Sequence, residues 1–216
     1  MKKRKFLALL CLFSFLSSAA VFSATQNVLS SSPPTPNLKA FTKMYSFSDL
    51  EQISFQGDIE YKTILDFIQT KFKSIRPENA ELIASELVKQ GKFYEMDPKF
   101  VAAIMAVESG FNHKAYHYGA MGLGQIMRGN LKNFGIEDPY SITQNVMGTT
   151  KHVKDLLTLF RNQSFQIQLT LSSYLLGTHK VVKKHLFDER THRYVGAVLS
   201  RYQVLRALSE KLQTDH

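Results

Sequence analysis

The 216-residue sequence predicts a mostly α-helical fold, and three observations carry that expectation. Apolar residues recur at helical spacing from about residue 60 onward. Helix-starting and helix-stopping residues bracket those runs, and no internal repeat or series of alternating segments competes with them. The 44% hydrophobic share is ordinary for a globular protein, so a real core can form.

The chain opens on Lys2, Lys3, Arg4 and Lys5, followed by an uncharged apolar run from Phe6 to Phe22. Small residues then gather at Ser17-Ser18-Ala19-Ala20 and Ser23-Ala24. This is the layout of an export signal over residues 1–24, removed on export to the periplasm or cell envelope. An uncleaved membrane anchor is the alternative. The single cysteine, Cys11, falls inside the signal, so the exported part is expected to hold no disulfide. Net charge is +9, and subtracting the signal's four positive charges leaves +5. That mild excess suits an anionic polymer or membrane surface; it is too small to argue for nucleic acid, and no nucleic-acid-binding motif accompanies it.

Residues 25–59 read as a poorly ordered linker, with Ser30-Ser31-Ser32-Pro33-Pro34-Thr35-Pro36 as its clearest stretch. A compact domain is expected over 60–213. Tyr61, Ile64, Leu65, Ile68 and Phe72 share one helix face, and Pro77 interrupts. A second helix carries Ala80, Ile83 and Leu87, with Gly91 as its expected end. A third has Asp97 as N-cap and Pro98 at its first position, runs to about Ser109, and has Gly110 placed to adopt a left-handed conformation. The glycines between residues 112 and 130 predict a long structured loop. A helix from about Thr143 presents Val146, Val153, Leu156, Leu157 and Phe160; the last, from about Thr191, presents Tyr194, Val198, Tyr202, Leu205 and Leu212. Phe165, Ile167, Leu169 and Leu171 alternate as in a strand, yet the run continues to Gly177, so strand and helix both remain open.

Glu108 is the residue that carries chemistry. Val101, Ile104, Met105 and Glu108 stand at i, i+3, i+4 and i+7, which places the carboxyl group on the apolar stripe of the third helix. Burial there penalises its charged form, and the negative end of the helix dipole acts in the same direction. A carboxyl raised in this way can stay protonated near neutral pH and act as a general acid. The plain alternative is a helix-end glutamate that turns to solvent or pairs with a basic neighbour.

The flanking residues are Glu108-Ser109-Gly110-Phe111-Asn112 and then Gly119-Ala120-Met121-Gly122-Leu123-Gly124-Gln125-Ile126-Met127. With Asn145 in Gln144-Asn145-Val146, Tyr174 and Gly177, and Tyr194-Val195, they form an ordered set over residues of about 80–205. This set resembles the SLT-type lytic transglycosylases, which share a fold with goose-type lysozymes. The resemblance implies a lysozyme-like helical domain, a helical 164–176 segment, and a glycine loop beside an active-site cleft. It implies that Glu108 protonates the oxygen between MurNAc and GlcNAc in peptidoglycan. The carboxylate would then take the proton of the MurNAc C6 hydroxyl, closing a 1,6-anhydro ring with no cofactor or metal. By the same resemblance Ser109 would orient the glutamate, Gln125 would contact substrate, and Tyr174 and Tyr194 would lie beside Glu108. Goose-type hydrolysis and a catalytically weak wall-binding or scaffold role are the competing functions.

This chain departs from the family pattern at several positions. Gly124 replaces a Met, Arg128 a Pro, and Leu175-Leu176 an Asn-Ala; the loop after Glu108 is one residue short, so His117 replaces a serine only approximately. A second carboxyl in a comparable apolar setting is not evident, since Glu137, Asp138, Asp155, Asp188 and Glu189 fall in loops or on polar faces. His113 and His117 lack the spacing of a metal site. The expected partner is the peptidoglycan glycan strand, bound by a monomer.

Overall fold

The computed structural model describes residues 57–184 and 188–214, so the signal at 1–24 and all of the linker before residue 57 lie outside the described residues. Helix α1 spans Gly57–Lys71, α2 Pro77–Tyr94 and α3 Pro98–Glu108. Three two-residue strands follow, β1 Tyr116–His117, β2 Ala120–Met121 and β3 Ile126–Met127, then two short 3-10 turns. Helix α4 spans Ile142–Leu159, α5 Gln166–Leu176, α6 Thr178–Lys184 and α7 Glu189–Thr214. The mostly α expectation holds.

Helix α3 is the centre of the fold. Every residue from Pro98 to Ala106 is buried, so the helix is covered on all sides rather than along one stripe. Helices α1, α2, α4 and α7 pack around it. The start of α3 matches expectation: the Asp97 side chain accepts from the Lys99 N–H at 2.9 Å, with Pro98 next in line. Glu108 is its last residue, partly buried where the helix leaves the core, and Gly110 follows in the left-handed region at φ 57°.

Two expectations need correction. Gly91 does not end α2, which continues to Tyr94 with Glu95 taking the left-handed cap at φ 50°. The glycine is required for close approach instead: a Cβ there would lie 2.8 Å from the Met96 carbonyl and 3.1 Å from the Pro98 ring. The second concerns 112–130, which is not only loop. It contains an antiparallel sheet in the order β1-β2-β3, pairing Tyr116 with Met121 and Ala120 with Met127. Strands this short give little alternation to read. The ambiguous 165–171 run is helical, and Gly177 at φ 85° caps it.

Helix α1 uses a face rotated slightly from the expected one, burying Thr63, Ile64, Phe67 and Ile68 while Tyr61 and Leu65 are half-covered. Phe67 on this helix and Phe72 just after it meet Phe111 edge-to-face, with ring centroids 6.3 and 5.0 Å away. Burial of the Phe111 ring holds that residue in the left-handed region at φ 61° and anchors the chain just after α3.

The fold also buries a charge cluster that the sequence did not disclose. Lys99 Nζ lies 3.2 Å from Glu60 and 3.1 Å from Asp97, and the Tyr202 hydroxyl donates to Asp97 at 2.7 Å. Glu60 and Asp97 are therefore buried acids, against the expectation that Glu108 alone would be, but each has a cationic partner. Burial is the main influence on the Glu60 carboxyl and raises it, with the Lys99 charge opposing.

Candidate active site

The carboxyl group of Glu108 accepts a hydrogen bond from the Tyr194 hydroxyl at 2.5 Å. Burial is the largest influence on this carboxyl; the Tyr194 bond and the Arg190 charge oppose it, and the balance raises it to about 7. The shift is in the direction that burial at a helix end predicts, and it keeps a proton on this carboxyl well above the usual carboxylate range. The phenols of Tyr174 and Tyr194 are both pushed well above their ordinary range, first by burial and then by the adjacent Glu108 charge. They are neutral donors throughout the physiological range.

The structure brings Tyr174 and Tyr194 together at Glu108, but with different tasks. Tyr194 bonds the acid directly. Tyr174 donates instead to the Gly124 carbonyl at 2.6 Å, and so fixes the glycine loop to α5. The Ser109 hydroxyl, expected beside Glu108, has backbone partners. It donates to the Leu123 carbonyl at 2.8 Å, with the Met105 carbonyl 3.3 Å away, and so ties the end of α3 to the same loop. Gln125 is braced within the loop, its amide donating to Gly122 at 2.9 Å and Ala115 at 3.3 Å while its oxygen meets His117 Nδ1 at 3.1 Å.

Asn145 organises the loop from below. Fully buried on α4, it donates to the Met121 and Pro139 carbonyls at 3.2 and 2.9 Å and accepts from the Gly124 N–H at 2.8 Å. Gly122, at φ 74°, is required here because a Cβ would fall 2.2 Å from both the Asn145 amide and the Pro139 carbonyl. Leu123 between the two glycines is fully buried and pins the loop to the core.

The same contacts account for two departures from the family pattern. A Cβ at Gly124 would lie 2.0 Å from the Thr149 hydroxyl and 2.9 Å from that of Tyr174, so Thr149 fills the space a larger residue would need. Arg128 donates its backbone N–H to the Gly119 carbonyl at 2.9 Å, a bond that proline could not make. Leu175 and Leu176 are half-buried at the end of α5, and nothing around them explains the replacement.

Two ring contacts of His152 had no counterpart in the sequence reading. The His152 ring lies 4.4 Å from Phe134 and 5.0 Å from Tyr174, centroid to centroid, and burial lowers it to about 4, so it is neutral at physiological pH. Its place on the Tyr174 side of α4 follows from helical spacing after Asn145 and Thr149, which was the available signal. His113 and His117 serve separate partners, the Tyr140 carbonyl at 2.8 Å and Gln125. Among the described residues no group of three or more His, Cys, Asp or Glu could hold a metal ion. A polar cavity of about 240 Å³ lies between Ser74–Asn79 and Phe111–Lys114; Glu108 does not line it.

A helical, lysozyme-like domain with one raised carboxyl at the end of its central helix is the class that fold and site define. Residues 87–193 match the transglycosylase SLT domain, and this part of the chain is a domain of that family. The match contains Glu108, Gln125, Asn145 and Tyr174 and stops one residue before Tyr194. A protein of Enterobacteria phage PRD1 named "Transglycosylase" is 27% identical over 113 residues, covering 52% of this chain and 40% of the phage protein.

Proposed function

We propose that the protein is a peptidoglycan lytic transglycosylase of the cell envelope, exported by its N-terminal signal and acting as a monomer. The carrying observation is the Glu108 carboxyl, raised to about 7 and bonded by Tyr194. Protonated Glu108 gives its proton to the glycosidic oxygen between MurNAc and GlcNAc as the C1–O bond breaks. The resulting carboxylate takes the proton of the same MurNAc's C6 hydroxyl, whose oxygen bonds to C1 and closes the 1,6-anhydro ring. One proton leaves the acid and one returns, so no water is consumed.

The balance of forces on Glu108 supports both halves. Burial alone would make a carboxyl that holds its proton too tightly; the Tyr194 bond and Arg190 charge oppose that and favour the carboxylate formed midway. Tyr194 donates to Oε1, which leaves Oε2 to carry the transferred proton. A glycosidase with two carboxyl groups would position water or a nucleophile across the bond. In the proposed reaction the substrate's own C6 hydroxyl takes the place of that second group. Gln125, braced by Ala115, Gly122 and His117, is rigid enough to orient the sugar.

Digestion of purified sacculi followed by product mass analysis tests this reading. Products should carry anhydro ends, one water lighter than hydrolysis products, and Glu108→Gln should release none. Reducing ends would instead identify a goose-type hydrolase. Binding without digestion by wild type and variant alike would identify a wall-binding or scaffold protein.

A further inference from the structure

Tyr118 presents the most exposed aromatic side chain among the described residues, 99% accessible, at the tip of the β1–β2 hairpin. With Gly119 it forms the two-residue turn, at φ 49° and 91°. Turns of this kind favour Asn-Gly, because positive φ strains a residue with a large side chain. The fold thus places a bulky, apolar ring where both solvent and backbone disfavour it. Strain of this sort tends to collect at functional sites, and Phe111, Tyr118 and Gln125 all have positive φ within the segment that follows Glu108.

The sheet register shows where the tip belongs. Met121 and Ile126 are buried and in line with Tyr116, whereas His117, Ala120 and Met127 form the opposite, outer row. On that outer row His117 binds the Gln125 side chain, and the Met127 methyl would touch a Cβ at Gly119 at 3.6 Å. Met127 is half exposed on that outer row, and Tyr118 stands at the turn that joins its β1 and β2 members. Ser109, Tyr174 and Asn145 fasten this sheet to the helices that hold Glu108, so the tip has a fixed position relative to the acid.

We propose that Tyr118, with Met127 beside it, is a sugar-stacking platform that holds the glycan strand beyond the residues cleaved at Glu108. The apolar C–H face of a pyranose ring packs on an aromatic face, and a rigid phenol binds with little loss of rotamer freedom. The platform rests on the glycan-cleaving function proposed above and adds to it a determinant of strand length. It acts on binding, not on bond breaking.

The protein contains no tryptophan, which makes the test direct. In a Glu108→Gln, Tyr118→Trp double variant the sole indole reports on the tip, and titration with GlcNAc oligomers and purified glycan strands should give a saturable blue shift with the longer chains. In the active enzyme Tyr118→Ala should raise KM for long strands by about 3- to 10-fold with kcat nearly unchanged, and Tyr118→Trp should restore it. Tyr118→Asn should show the same KM defect while melting a few degrees higher, since it relieves the turn. An unchanged KM in Tyr118→Ala, or an indole emission that saturating glycan leaves unmoved, overturns the platform. Wild-type digestion of sacculi reads the parent function separately, and the emission arm still decides the platform if that digestion fails.

Discussion

Replacing Glu108 by Gln should stabilise the protein at high pH and leave it unchanged at low pH. The folded carboxyl is raised from 4.5 to about 7. Between those values the unfolded chain has released this proton and the folded chain has kept it. Stability from this group is therefore fully present below about pH 4.5 and is lost as pH rises through about 7. At about 1.4 kcal/mol per pH unit the full loss approaches ~3 kcal/mol. Glutamine has the shape of the protonated acid, can still accept from Tyr194, and does not titrate. The variant should match wild type at pH 4 and exceed it by up to ~3 kcal/mol at pH 8, while losing wall-digesting activity at both. His152 acts in the opposite sense, since burial lowers it to about 4 and the folded state weakens as pH falls from 6.5 toward that value. It is common to both proteins and cancels in the difference. Urea unfolding of the pair at several pH values is the assay. A stability difference that does not vary with pH would refute the reasoning, because it would mean that Glu108 titrates alike in both states.

Three further outcomes follow from named contacts. Tyr194→Phe removes a bond that lowers the Glu108 carboxyl, so the alkaline limb of the pH–rate profile should move upward and the rate should fall about 10²-fold. Asn145→Ala leaves the Met121 and Pro139 carbonyls and the Gly124 N–H without their partner, and should cost roughly 2–4 kcal/mol by chemical denaturation. Lys99→Met strands the buried Glu60 and Asp97 carboxylates; a loss of ~3–5 kcal/mol is expected at neutral pH, smaller in acid where they can protonate.

Helices proved legible in the sequence because their signals are local. Asp97-Pro98 starts α3, Gly177 stops α5, and the apolar spacing of α4 and α7 falls where the core is. Gly91 misled because a glycine needed for close approach looks the same in sequence as one that ends a helix. The sheet of β1–β3 was hidden by strands of two residues, too short to display a period. Glu108 could be singled out, since its position at a helix end and its apolar neighbours both argue for a raised carboxyl. Its surroundings were less legible. That Ser109 would bind Leu123, and Tyr174 Gly124, depends on how the loop folds back over α3 and α5. The Glu60–Lys99–Asp97 cluster joins residues 39 positions apart, a distance over which sequence pattern gives no guidance.

Carbon-detected NMR titration of the Glu108 side-chain carboxyl, identified by its absence in Glu108→Gln, tests the central claim most directly. The account predicts a midpoint close to 7. A midpoint near the ordinary 4.5 would leave the site without an acid at neutral pH and contradict the mechanism.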